Sequence, residues 1–143
     1  MILIDVNVLI YAHKSDAVDS AQYRRWLEGV IAGDEAFGLS ELALSAFLRI
    51  VTNPRIMKPP STIADALQFI DDLRTPQSRL VRPGERHWEI FADLCRLPGV
   101  RGDVVSDAYF AALAIESGCE WITTDRDFTR FPGLRTRHPL GKK

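Results

Sequence analysis

The sequence predicts an α/β fold, a parallel sheet covered by helices on both faces. Short apolar runs of strand length alternate with longer stretches whose apolar residues recur at helical spacing. The opening run, Met1-Ile2-Leu3-Ile4, is apolar throughout, as a central parallel strand buried on both faces must be. That run ends in an acid, Asp5, at the kind of strand terminus where open α/β sheets place their ligand chemistry.

Taken in order, strands are predicted at 2–5, 36–39, 79–82, 120–123 and 134–137. Val6-Asn7-Val8-Leu9-Ile10 prolongs the apolar character past Asp5. A helix over 18–32 presents Ala21, Trp26, Leu27, Val30 and Ile31. The next, 41–52, carries Leu42, Leu44, Phe47, Leu48 and Val51 and stops before Asn53-Pro54, because a residue preceding proline avoids helical backbone angles. Pro59-Pro60-Ser61 supplies start chemistry for 61–74. The helix over 85–97 ends at Pro98-Gly99, and the one over 105–117 ends at Gly118, a helix-stop residue. No repeat or low-complexity segment interrupts this alternation.

At 143 residues, one domain over 1–143 is expected, and a 46% hydrophobic content supplies its core. A net charge of −1 argues against strong non-specific DNA binding. Lysine occurs only at Lys14, Lys58, Lys142 and Lys143, so arginine, which suits phosphate contacts, dominates the basic residues. Cys95 and Cys119 lack metal-ligand spacing and read as reduced core thiols of a cytoplasmic protein. Neither a signal peptide nor a run of membrane-spanning length is evident.

The acids carry the functional reading. Glu41 follows Ser40 at a helix start, Asp107 opens an otherwise apolar helix, and Asp125 and Asp127 flank a turn after the 120–123 strand. Each alone has an ordinary role, as a first-turn acid or a turn residue. Together, Asp5, Glu41, Asp107 and Asp125 all fall at strand ends or helix starts of one α/β layout. Asp103 precedes Asp107 by four residues; a helix reaching back that far would align the two carboxylates on one face, whereas Gly102 is equally compatible with a loop. Crowded carboxylates repel unless a cation joins them. Oxygen donors select Mg²⁺ or Mn²⁺, and His13, His87 and His138 are too scattered to offer an alternative site. Such an ion can polarise a phosphodiester and activate water, so the residues point to a metal-dependent phosphodiesterase.

These motifs resemble the PIN domain, and within it the VapC toxins of bacterial toxin–antitoxin modules. The resemblance spans the chain: Ile4-Asp5-Val6-Asn7-Val8-Leu9, then Glu41 with Phe47-Leu48-Arg49 and Thr52-Asn53-Pro54-Arg55, then Asp107-Ala108-Tyr109-Phe110-Ala111-Ala112-Leu113-Ala114, and finally Thr123-Thr124-Asp125-Arg126-Asp127-Phe128. It implies a three-layer α/β/α sandwich around a parallel sheet of about five strands. It implies Asp5, Glu41, Asp107 and Asp125 as catalytic acids, with Asp5, Asp107 and Asp125 on Mg²⁺ or Mn²⁺. Asn7, Thr123 and Asp127 are implied as supporting residues. Asp103 departs from the related toxins, which often carry a neutral residue there, and reads as an outer acid or a loop acid. The implied activity is cleavage of structured RNA such as tRNA. The implied partners are a VapB-type antitoxin, which lies along a groove and often inserts an arginine among the acids, and a second copy of the chain. Arg49, Arg126 and Arg130 are candidates for RNA phosphates, and the apolar content of 41–52 and 61–74 for the partner groove.

Other classes fit less well. A haloacid-dehalogenase-type phosphatase wants a second Asp where Asn7 stands, and a receiver domain wants a late lysine in the sheet, whereas the late lysines are the tail pair. A flap-type nuclease usually carries more helical elements. A degenerate PIN domain that only binds nucleic acid or protein, and a PIN nuclease of RNA processing outside a toxin pair, remain the alternatives.

Overall fold

The computed structural model describes residues 1–14 and 19–142. Five parallel strands form one sheet in the order β3-β2-β1-β4-β5: β1 Ile2–Ile4, β2 Phe37–Leu39, β3 Ser78–Leu80, β4 Glu120–Ile122 and β5 Thr136–Arg137. The helices are α1 Val6–His13, α2 Ser20–Ala32, α3 Glu41–Val51, α4 Ile63–Leu73, α5 His87–Cys95 and α6 Asp103–Ser117, and a single 3-10 segment spans Arg126–Arg130. From β1 the chain steps to β2 and β3 in one direction, then crosses back to β4 on the far side of β1. Right-handed crossovers in opposite directions put α1–α4 on one face and α5–α6 on the other. The packing agrees: α1 meets α2 and α3, α3 meets α4, and α5 pairs with α6. The three layers are those expected.

Central β1 is flanked by β2 and β4 with Leu3 opposite Gly38 and Trp121. Leu3, Ile4, Trp121 and Ile122 are completely buried, which is why these runs tolerate no polar alternation. Gly38 is required by packing: a Cβ there would stand 2.8 Å from Val81 Cγ2 and 3.1 Å from the Ile2 carbonyl oxygen. On the α1–α4 face, Phe47 stacks on Phe69 with ring centroids 5.0 Å apart, and both meet His13 edge-on.

Several boundaries differ from expectation. The apolar stretch after Asp5, to which the sequence alone assigns no element, is a helix: α1 buries Val6, Val8, Leu9, Ile10 and Ala12, and a helix buried nearly all round shows no 3.6-residue stripe. Helix α4 starts later than Ser61, since Thr62 is its cap and accepts from Asp65 N–H at 3.1 Å. The Ser61 hydroxyl is used instead by His13 Nε2 at 2.8 Å. Helix α2 begins at Ser20, and the residue at 18 lies outside the described residues. Helix α5 is two residues shorter at each end than 85–97. Edge strands β3 and β5 are displaced or shortened relative to 79–82 and 134–137, yet Val81 N–H still reaches the Leu39 carbonyl at 2.8 Å. Helix α6 does extend to Asp103, with Gly102 as its cap at φ 59°. Both cysteines are free, Cys119 buried and Cys95 half-buried. No helix among the described residues is long and apolar enough to cross a membrane.

Candidate active site

With strand order β3-β2-β1-β4-β5, the direction of winding reverses between β1 and β4. The crevice beyond the carboxyl ends of two such strands is where α/β sheets bind ligands. Asp5 follows β1 directly and Thr123-Thr124-Asp125 follows β4, so both segments leave the sheet at this point.

A chain of hydrogen bonds ties them together. Asp5 N–H donates to the Ile122 carbonyl at 2.9 Å, extending the β1–β4 ladder by one step. The Thr123 hydroxyl donates to Asp5 Oδ2 at 2.6 Å and accepts from Asp125 N–H at 3.0 Å. Asp125 Oδ1 in turn accepts from Asp127 N–H at 2.9 Å, opening the 3-10 segment. Asp5 occupies the cap position of α1 but makes no capping bond with its side chain; the carboxylate is committed to Thr123.

Asp5 is only 6% exposed, and its carboxyl is pushed up to about 6. Burial is the main cause, opposed by the Thr123 hydroxyl and the Val6 amide and reinforced by the charges of Asp107 and Asp125. Asp107, half-buried on α6, is also pushed up to about 6, first by burial and then by the charge of Asp125. Arg130 opposes this, while Asp127 and Asp103 add to it. Asp5, Asp107 and Asp125 therefore share one neighbourhood. Asp103 stands exposed one turn before Asp107 on the same helix.

Glu41 opens α3 beyond β2, where Ser40 caps the helix, but its carboxylate is turned to Arg82 Nε at 2.9 Å. Arg82 holds the Glu41 carboxyl below the usual range, by its hydrogen bond and then by its charge. Among the described residues the structure thus brings three of the four acids together electrostatically and gives the fourth to an arginine. Arg82 follows β3 at the same sheet edge, and its only signal in the sequence is that position after a strand. Asn7 sits half-buried in the first turn of α1, and its side chain makes no hydrogen bond to another described residue. Arg126 and Arg130 are exposed on the 3-10 segment, with Arg130 Nε on the Asp127 carbonyl at 3.2 Å. Arg49 lies exposed in the last turn of α3, about 12 Å along the helix from Glu41.

The donor set suits a hard cation. The charges of Asp107 and Asp125 act on Asp5 and that of Asp125 on Asp107, and a positive ion would relieve the repulsion that helps raise Asp5 and Asp107. Among the described residues no group of three or more His, Cys, Asp or Glu side chains stands arranged to hold a metal ion. Mg²⁺ keeps most of its waters and needs only one or two direct carboxylates, so the two observations are compatible. A larger cleft of about 870 Å³ lies at the opposite, amino edge of the sheet, beside Met1, Phe37 and Glu120, and touches none of these acids.

Residues 2–134 match the model of the PIN domain family. The chain belongs to that family. It is 43% identical to VapC ribonuclease Mb2897 of Mycobacterium bovis over 98% of this chain and 96% of that protein. It is 38% identical to ribonuclease VapC25 of Mycobacterium tuberculosis over 97% and 99% of the respective chains. These relatives place it in the VapC branch of the PIN domains. Among solved structures, VapBC2 from Rickettsia felis bound to a DNA fragment from its promoter superimposes with a TM-score of 0.69 at 17% identity, over 96% of this chain and 98% of that one. Mycobacterium tuberculosis VapC20, a sarcin-ricin loop cleaving toxin, gives 0.64 at 14% identity, over 94% and 99%. At these identities the likeness concerns the fold.

Proposed function

We propose that this PIN domain is the toxin of a VapBC pair, an endoribonuclease that hydrolyses phosphodiester bonds in structured RNA such as tRNA with the help of Mg²⁺ or Mn²⁺. The observation that carries the reading is the mutual charge influence of Asp5, Asp107 and Asp125, with Asp5 and Asp125 following the strands at the reversal point of the sheet, in a chain 43% identical to a VapC ribonuclease. Asp5, Asp107 and Asp125 would hold the cation, which when bound supplies Lewis-acid polarisation of the phosphate and a more acidic water. The protein's own contribution is orientation. Thr123 locks one oxygen of Asp5 and at the same time fixes the Asp125 backbone, so two acids from different strands move as one unit. The Asp127 amide holds Asp125 Oδ1, and the other oxygen makes no hydrogen bond among the described residues. Glu41, on the far side, would join the acids once RNA or a competing cation releases it from Arg82.

An antitoxin is the proposed protein partner. Leu42 of α3, Ile56 of the following loop and Ile63 and Leu67 of α4 are large apolar side chains 45–56% exposed, more than isolated surface residues require. An arginine carried by that partner would pair bidentately with the acids and compete with the metal. A second copy of this chain is the other proposed partner, and Trp88, 71% exposed on α5, is apolar surface it would cover. The test is a matched pair of bacterial strains expressing the wild-type chain or Asp5→Asn. Growth arrest and new RNA ends in the wild type alone support the toxin reading; equal arrest in both, or no new RNA ends, favours a non-catalytic binding module.

A further inference from the structure

A cleft of about 440 Å³ adjoins the acids on the β4–β5 side of the crevice. Asp125 forms one wall and is shared between the two. Most of the remaining polar lining is cationic or hydroxylic, with Arg126, Arg137 and Lys142 beside threonines that include Thr124 and Thr136, and the His138 ring completes it. We propose that this cleft is a subsite for the ribose-phosphate backbone of the RNA flanking the scissile bond, with Arg126 and Lys142 as its phosphate contacts. The inference rests on the ribonuclease reading and adds where the strand leaves the acids.

Charge distribution supports this. The acids leave no room for a second phosphate beside the scissile one unless positive groups stand nearby. On the α3 side, Arg82 is already engaged by Glu41 at 2.9 Å. On the β4–β5 side, the guanidinium of Arg126 has no ion pair or hydrogen-bonding partner among the described residues. Lys142 pairs with Asp19 at 3.0 Å and Arg137 with Glu120 at 3.0 Å, each an exposed cation on a half-buried acid, so water reaches the cations and a phosphate can compete for them. His138 lies on the same wall and is held below its ordinary value by burial, then by the charges of Lys142 and Arg126, so both cations face one small volume. The hydroxyls of Thr124 and Thr136 make no hydrogen bond to the described protein and can donate to phosphate or ribose oxygens. A guanidinium and an ammonium beside neutral hydroxyls match a phosphodiester, which is singly charged and rich in acceptors.

The experiment measures binding of a short mixed-sequence single-stranded RNA to the full chain carrying Asp5→Asn, at fixed divalent-ion concentration, across a series of salt concentrations. Adding Arg126→Gln and Lys142→Gln together lowers the slope of log affinity against log salt by about 1.4, two phosphate contacts on a single strand. Arg25→Gln, beside the distant amino-edge cleft, leaves the slope unchanged, and Arg126→Lys retains it because the charge is kept. Unchanged melting temperatures exclude loss of fold as the cause. If the wild type cleaves RNA while the double variant keeps the full slope, this subsite is wrong and the ribonuclease reading stands. If the wild type neither cleaves nor binds RNA, both fall.

Discussion

Asp5→Asn in protein stripped of divalent ions should make the fold more stable at neutral pH. Asp5 is buried, and its carboxyl moves from 3.8 to about 6 on folding. At about 1.4 kcal/mol per pH unit, ionised Asp5 is therefore about 3 kcal/mol costlier in the fold than in the open chain. The sign follows from a folded value raised above the unfolded one. Below pH 3.8 both states are protonated and nothing is lost. Between 3.8 and about 6 the unfolded chain gives up its proton and the folded one keeps it, so stability falls as pH rises. Above about 6 the loss is complete. Asn cannot ionise; it can still accept from Thr123, but its amide needs an acceptor, at a cost of about 1 kcal/mol. The net gain is about 2 kcal/mol at pH 7, a rise in melting temperature of about 6–8 °C for a domain of this size. The assay is thermal or urea unfolding of both proteins in chelator from pH 4 to 7.5. The advantage of the variant should grow with pH and level off above about 6. Saturating Mg²⁺ should then shrink or invert it, because the wild type gains binding free energy the variant lacks. A wild type-to-variant difference that is flat across this range would refute the reasoning.

Thr123→Val keeps the shape but removes the hydroxyl that serves both Asp5 and Asp125, so RNA cleavage should drop about 10–100-fold, with Thr123→Ser restoring most of it; equal rates for Val and Ser would contradict the relay. Phe47→Ala should cost about 3–5 kcal/mol in urea unfolding, since the ring is fully buried and stacks on Phe69. Gly38→Ala should destabilise by about 1–3 kcal/mol, because the Ile2 carbonyl facing the new methyl is backbone and cannot turn away; an unchanged melting temperature would show that β2 shifts freely.

The central sheet was legible because its strands are buried on both faces, so Ile2–Ile4 and Trp121–Ile122 read as unbroken apolar runs bounded by polar residues. That same completeness of burial hid α1: with Val6, Val8, Leu9 and Ile10 all inside, its sequence shows no polar face to set a helical period. The start of α6 was ambiguous because Gly102 is as good a loop residue as a cap, and only the fold shows the helix reaching Asp103. The edge strands were the least definite, since β3 and β5 carry exposed residues and hold few backbone bonds. In the candidate site, the acids stood out by falling at the ends of elements, and the closeness of Asp5, Asp107 and Asp125 follows from strand order. The Glu41–Arg82 pair could not be read, because it joins residues 41 positions apart, the first residue of α3 and the segment after β3. The Thr123–Asp5 bond spans 118 positions and became definite only with β1 and β4 as neighbours.

The most direct measurement is cleavage of total tRNA by the purified chain, wild type and Asp125→Asn, with Mg²⁺ or with excess chelator, resolved on a denaturing gel. Discrete new fragments from the wild type with Mg²⁺, and none with chelator or from Asp125→Asn, are the predicted result. Undiminished cleavage in chelator, or equal cleavage by the variant, would contradict a metal-assisted reaction at these acids.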